Sequence, residues 1–184
     1  MWSMANFRKE ALQLMGKDNS LTLLAPFDGF EEKIPKSIKL INWKLNPQSS
    51  SFLNELKAIY ELATKIERKI DLVLCYTIKP ILYYSILKLF ISRPGRVVYF
   101  FPGMGRVFYS KIFLFNLIKR ILKYLLRCSS IVTLNKRDFK LASELFWRSN
   151  EIYLLNGEGF EKKLVEKINS WKKIYDFCFV SRLI

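Results

Sequence analysis

In the stretch "GRVVYFFPGMGRVFYS" (95–110), Gly103 and Gly105 stand directly behind a run of β-forming residues, with Arg106 next to them. Two glycines around one methionine leave main-chain amides open to close approach, and an arginine beside them suits an anion. The same pattern serves a tight strand-to-helix turn that needs positive φ, so the local reading stays open between a turn and a ligand loop. Thr77 and Lys79 raise the same choice after "DLVLCY": a hydroxyl and an ammonium at a strand's carboxyl end, or an exposed turn. Gly157, Glu158 and Gly159 form a third turn ahead of an amphipathic stretch. A different chemistry is written in "KIFLFNLIKRILKYLLR" (111–127), where Lys119, Lys123 and Arg127 recur at helical spacing with Arg120 beside them. That is either a solvated basic stripe on a packed helix or a surface that meets anionic headgroups.

The composition narrows the chemistry. The chain has 184 residues and no histidine, which removes the commonest general base and the commonest metal ligand. Cys75, Cys128 and Cys178 lie far apart in apolar surroundings, without a paired spacing, and are expected to be buried and reduced. No metal-ligand cluster and no cofactor motif is legible. Against 16 acidic residues stand 31 Lys and Arg, a net charge of +15, so the surface seeks an anionic partner. Nucleic acid is the weakest candidate, because no helix-turn-helix, zinc or RNP pattern is present. The amino-terminal "MWSMANFRKEALQLMG" lacks a signal peptide's apolar core, and lysine or arginine interrupts every long apolar stretch, so no spanning helix is expected.

These residues need a scaffold, and strand and helix signals alternate along the chain. Strands are expected at 21–26, 37–43, 71–76, 97–101, 130–134, 151–155 and 177–180. Between them lie a helix from Phe52 with Leu56, Ile59, Ala63 and Ile66 on one face, a helix over 81–91 started by Pro80 at its first position, and a basic helix over about 110–127. A helix after Asn135 carries Asp138 in its first turn, and another follows over 160–173. Repeated β-α units imply an α/β fold: a Rossmann-like, doubly wound parallel sheet.

Six segments in this order resemble the amino-terminal half of a retaining glycosyltransferase of family 4, the bacterial polysaccharide branch, whose GT-B fold pairs two Rossmann-like domains. "WSMANFR" is similar to that family's first loop and helix, "DLVLCYTIKP" to its D-hydrophobic-T-x-K-P segment, and "FFPGMGRVF" to its TGLGxVF loop. "IVTLNKRD" resembles its hydrophobic-N-x-x-D helix cap, "LLNGEGF" its PGSGVD turn, and "FCFVSRLI" its FxFVGRL strand. The resemblance implies one half of a GT-B fold over 1–174, and at 175–184 the first strand of a carboxyl-terminal, nucleotide-sugar-binding domain. It places the family's first strand ahead of Met1. It also implies that Thr77, Lys79, Gly103, Gly105, Arg106 and Glu158 line the acceptor side, while Arg182 meets the donor diphosphate. Asn6 and Arg8 fall on the first helix, where an ordinary solvated face is the expectation.

The implied activity is transfer of a sugar from a nucleotide sugar to a lipid-diphosphate-linked saccharide in capsule or lipopolysaccharide assembly, by a fragment inactive alone. Lys119, Arg120, Lys123 and Arg127 would hold it on the inner face of the cytoplasmic membrane, and no metal or cofactor is implied. The alternative is a non-catalytic basic module that docks on anionic membrane or nucleic acid.

Overall fold

A computed structural model describes residues 1–45, 51–67, 69–90, 96–105, 108, 113–146 and 151–156. Two short helices, α1 (Trp2–Phe7) and α2 (Lys9–Asp18), precede strand β1 (Thr22–Ala25). A single 3-10 turn (Glu31–Lys33) leads to β2 (Lys39–Asn42), and helix α3 (Phe52–Lys65) follows. Then come β3 (Leu72–Tyr76), α4 (Ile78–Phe90), β4 (Arg96–Phe101), α5 (Phe113–Leu125), β5 (Ser130–Thr133), α6 (Lys136–Phe146) and β6 (Glu151–Leu154). Every strand expected up to residue 155 is present; the expected strand at 177–180 and the helix over 160–173 lie outside the described residues.

All pairing is parallel. β3, β4, β5 and β6 form a four-stranded sheet in sequential order, with Tyr76, Phe100, Val132 and Tyr153 in one cross-strand row. β1 and β2 form a separate two-stranded sheet. Parallel strands need a crossover between each pair: α4, α5 and α6 supply it within the larger sheet, and the segment with the 3-10 turn supplies it between β1 and β2. The fold is therefore the expected Rossmann-like α/β architecture, with helices on both faces.

Alternation along the strands determines what each face meets. Cys75, Val97, Tyr99, Phe101 and Ile131 point into the larger core, against Leu62 of α3, Ile81 and Leu87 of α4, Leu122 of α5 and Phe146 of α6. Tyr99, at 0% exposure, is the largest of the fully buried side chains, and its hydroxyl is hydrogen-bonded to Ser85 Oγ at 2.8 Å. The Ser85 hydroxyl also reaches the Ile81 carbonyl at 2.6 Å, so this polar pair is satisfied inside the core. Burial pushes the Tyr99 phenol well above its ordinary range. A smaller core forms where Ala5 and Leu12 of α1 and α2 pack with Ala25, Ile34 and Ile38.

Three expectations are corrected here. In α3 the buried residues are Ala58 and Leu62, with Ile59 and Ala63 packed partly beside them, while Phe52 and Leu56 are exposed: only the second half of the helix meets the core. Pro80 sits in the third position of α4, because the helix starts at Ile78; proline is tolerated there since an N–H that early has no intrahelical acceptor. Cys128 is exposed, not buried. It follows the last turn after α5 with φ 56°, a left-handed stop that swings its side chain to solvent.

Desolvation pushes the buried Cys75 thiol up to about 12. In a Cys178→Ser background, a thiol reagent at pH 8 should therefore modify Cys128 and leave Cys75 intact until the protein is unfolded. Mass mapping of the labelled peptides checks this, and early loss of Cys75 would contradict the packing of β3.

Candidate functional site

In a parallel sheet all carboxyl ends fall on one rim, and there the chain concentrates its turn residues. At the end of β3, Thr77 takes φ 69°, its N–H donates to the Phe100 carbonyl at 3.2 Å, and its carbonyl accepts the first helical bond of α4 from Ile81 N–H. Threonine in the left-handed region is strained by its branched Cβ, so the sheet and the helix together hold this residue in a conformation it would not choose. Lys79, one residue into α4, pairs its ammonium with Glu55 of α3 at 2.9 Å, both side chains about a quarter exposed. The lysine is thus neither a solvated turn residue nor an unengaged cation.

At the end of β4, Gly105 adopts φ 70°, whereas Gly103 does not need a left-handed backbone. A Cβ built at either glycine meets no described atom within 4 Å. The two glycines therefore differ: Gly105 is required by the turn, and Gly103 leaves room above the backbone. Met104 between them is buried in the main core and anchors the loop. Its N–H donates to Asp138 Oδ2 at 3.3 Å.

At the end of β5, Asn135 caps α6: Asp138 N–H donates to Asn135 Oδ1 at 2.8 Å, and Asn135 Nδ2 donates to Asp138 Oδ2 at 2.8 Å. Asp138 is buried. One carboxylate oxygen therefore serves two turns, the glycine loop after β4 and the helix cap after β5.

Arg8 was expected on a solvated helix face and is instead buried at the α1–α2 junction. Its guanidinium lies 4.6 Å from the centre of the Tyr76 ring, and Nη1 donates to Ser3 Oγ at 3.2 Å. Tyr76 in turn packs on Phe100, ring centres 4.8 Å apart. Sequence reading missed Arg8 because nothing along the chain announces that Tyr76 will lie beneath it. Asn6 remains exposed, its Nδ2 bonded to the Trp2 carbonyl. Thr77, Gly103 and Gly105 thus share the rim with Asn135 and Asp138, and Arg8 stacks on Tyr76, the last residue of β3. Arg106, Glu158 and Arg182 lie outside the described residues.

The basic stripe belongs to another surface. Leu122, Leu125 and Leu126 are buried, while Arg120, Lys123 and Arg127 are exposed and Lys119 is half-buried. Between the cations, Ile121 and Tyr124 are half exposed or more, and the Arg127 guanidinium lies 5.5 Å from the Tyr124 ring centre. The end of α4 adjoins this patch: Lys88 Nζ reaches the Arg127 carbonyl at 3.5 Å, and the neighbouring Leu89 and Phe90 are exposed, Phe90 at 80%. Among the described residues, no helix is long and apolar enough to cross a membrane. No known protein family matches the chain, and no curated protein matches its sequence.

Replacing Asp138 by alanine should cost about 1–3 kcal/mol, because Met104 N–H and the Asn135 amide both lose a buried acceptor. Asn135→Ala should cost about 1 kcal/mol as an ordinary lost cap. Urea midpoints check both. The Asp138 variant should also speed amide exchange at Met104, which the Asn135 variant should leave slow.

Proposed function

We propose that this chain is the acceptor-side half of a retaining glycosyltransferase that works on an anionic membrane surface. The acceptor is a lipid-diphosphate-linked saccharide, and the donor is a nucleotide sugar. The observation that carries this reading is convergence: three of the segments resembling family 4, far apart in sequence, end at the carboxyl rim of three adjacent parallel strands. Ligands of open α/β sheets bind at such rims.

On this reading, Gly103 leaves the room an acceptor sugar or diphosphate needs, and the strained, exposed Thr77 stands at the end of the neighbouring strand. Arg8 supplies positive charge in a desolvated setting, where it acts more strongly on a diphosphate than a surface lysine would. Arg106 and Glu158 belong to the same acceptor side by resemblance, and Arg182 to the donor diphosphate. Sugar transfer breaks the bond from the anomeric carbon to the donor diphosphate and forms one to the acceptor hydroxyl. The protein's contribution is positioning and stabilisation of charge on the departing diphosphate. The nucleotide contacts fall to the carboxyl-terminal domain of such folds, so acceptor binding is the property this rim would supply.

A second reading rests on the patch around Arg120, Lys123, Arg127, Tyr124 and Phe90, which has the mixture of cations and exposed apolar side chains that an interfacial surface uses. Alone, it would make the chain a non-catalytic docking module on anionic membrane.

Vesicle co-sedimentation separates the two. With zwitterionic vesicles carrying a polyprenyl diphosphate, Gly103→Ala should weaken binding about tenfold, equivalent to about 1.4 kcal/mol, without lowering stability. The triple change Arg120→Gln, Lys123→Gln, Arg127→Gln should weaken binding to anionic vesicles and spare the polyprenyl diphosphate response. If Gly103→Ala binds the diphosphate lipid as well as the parent, the transferase reading fails and the docking module replaces it.

A further inference from the structure

A cavity of about 470 Å³ opens between α3, Tyr83 of α4 and the chain just beyond β2 at Lys44 and Leu45. None of the rim residues Thr77, Gly103, Asn135 or Asp138 lines it. At its Tyr83 wall lies an unmet group. Tyr83 is 5% exposed, and its ring meets Trp43 edge-on with centres 6.0 Å apart, so the phenol is fixed in the core. Its buried hydroxyl has no hydrogen-bond partner among the described residues. Tyr99 in the same core differs, since its hydroxyl is bonded to Ser85. A buried hydroxyl left unpaired is costly, and an oxygen brought in by a ligand removes that cost.

The charges around the cavity favour an anion. Its two carboxylates are already engaged: Glu55 is paired with Lys79 at 2.9 Å, and Glu61 with Lys65. Neither of those lysines lines the cavity. Two others do. Lys57 is exposed and in no ion pair among the described residues, and Lys44 shares the field of Glu61 with Lys65. Four lysines thus surround two carboxylates. Leu45, Ala58 and Tyr60 supply apolar wall, and the Tyr60 side chain is 71% exposed.

We propose that this cavity binds a small, flat organic acid. Its ring lies among Leu45, Ala58 and Tyr60, its acid group is held by Lys57 and Lys44, and an oxygen at its far end accepts from the Tyr83 hydroxyl. The volume falls within the range of about 300–1,000 Å³ that small-molecule sites occupy. An inorganic anion would leave the apolar wall unused, and an apolar ring without oxygen would leave the Tyr83 hydroxyl unpaired. The site stands whether or not the rim binds a glycosyl acceptor.

The test titrates the full chain with 4-hydroxybenzoate and, for comparison, benzoate, and reads backbone amide shifts by NMR. At millimolar concentration, 4-hydroxybenzoate should move the amides of Leu45, Ala58 and Tyr60 and leave Gly103 and Gly105 in place. Benzoate should bind at the same amides about tenfold more weakly, because it brings no oxygen to Tyr83. Tyr83→Phe should weaken 4-hydroxybenzoate to the level of benzoate and leave benzoate unchanged. That variant should also unfold no earlier than the parent, because the hydroxyl it removes has no bond to lose. Lys57→Gln should weaken both acids about threefold or more. The proposal is overturned if neither acid moves the Leu45, Ala58 and Tyr60 amides, or if shifts scatter over the surface lysines instead. Equal binding of the two acids by the parent, or undiminished 4-hydroxybenzoate binding by Tyr83→Phe, would overturn it too. Should Tyr83→Phe fail to fold, the parent's preference between the two acids and the Lys57→Gln result decide.

Discussion

Asp138 is 3% exposed, and the bonds it accepts come from two places that have no covalent reason to stay together, the Met104 amide after β4 and the Asn135 side chain after β5. A buried carboxylate is costly unless its hydrogen bonds are met, so the loop and the cap cannot drift apart without leaving a charge unsatisfied. The rim depends on this constraint. The position of Met104 sets Gly103 and Gly105 on either side of it, and the cap of α6 sets where Phe146 enters the core. Phe108 packs edge-on against both Phe101 and Phe146, with ring centres 5.9 and 6.3 Å apart, so the same bracket reaches from the loop down into the aromatic packing.

A division of labour follows between the two ends of the sheet. At the carboxyl rim, cations are held in place: Arg8 is buried on Tyr76, and Lys79 is paired with Glu55. Along the outer surface of α5 they stand in solvent, interleaved with Ile121 and Tyr124. A fixed cation selects for geometry, because little ordering remains to be done when an anion arrives. A mobile one beside exposed apolar groups binds a fluid, charged surface of variable shape. The excess of 15 positive charges therefore stands in two distinct settings, which a net charge cannot separate.

Much of the scaffold was legible because buried parallel strands write themselves as short continuous apolar runs, and "VVYFF" or "LVLCY" has few other ways to be satisfied. The Asn135 cap was legible for the same local reason. What failed was whatever depends on a partner distant in sequence. Arg8 looked solvated because its ring partner lies beyond two strands and two helices. Cys128 sat among apolar neighbours, yet a left-handed helix stop turned it outward. Phe52 and Leu56 had the spacing of a core stripe, but spacing does not say where the sheet beneath them ends. The candidate site divides likewise: the glycine loop and Thr77 were visible as local punctuation, whereas the bracket through Asp138 exists only once β4 and β5 are neighbours.

The rim rests on both sheets. Arg8 is held above Tyr76 at the end of β3, but the helices that carry it pack on β1, so its position depends on the spacing of two strands that no described hydrogen bond connects. That spacing is therefore carried by side-chain packing on α1, α2 and α3. Thr77 is held differently: its strained backbone is tied to β4 through the Phe100 carbonyl and to α4 through Ile81 N–H, both directional bonds.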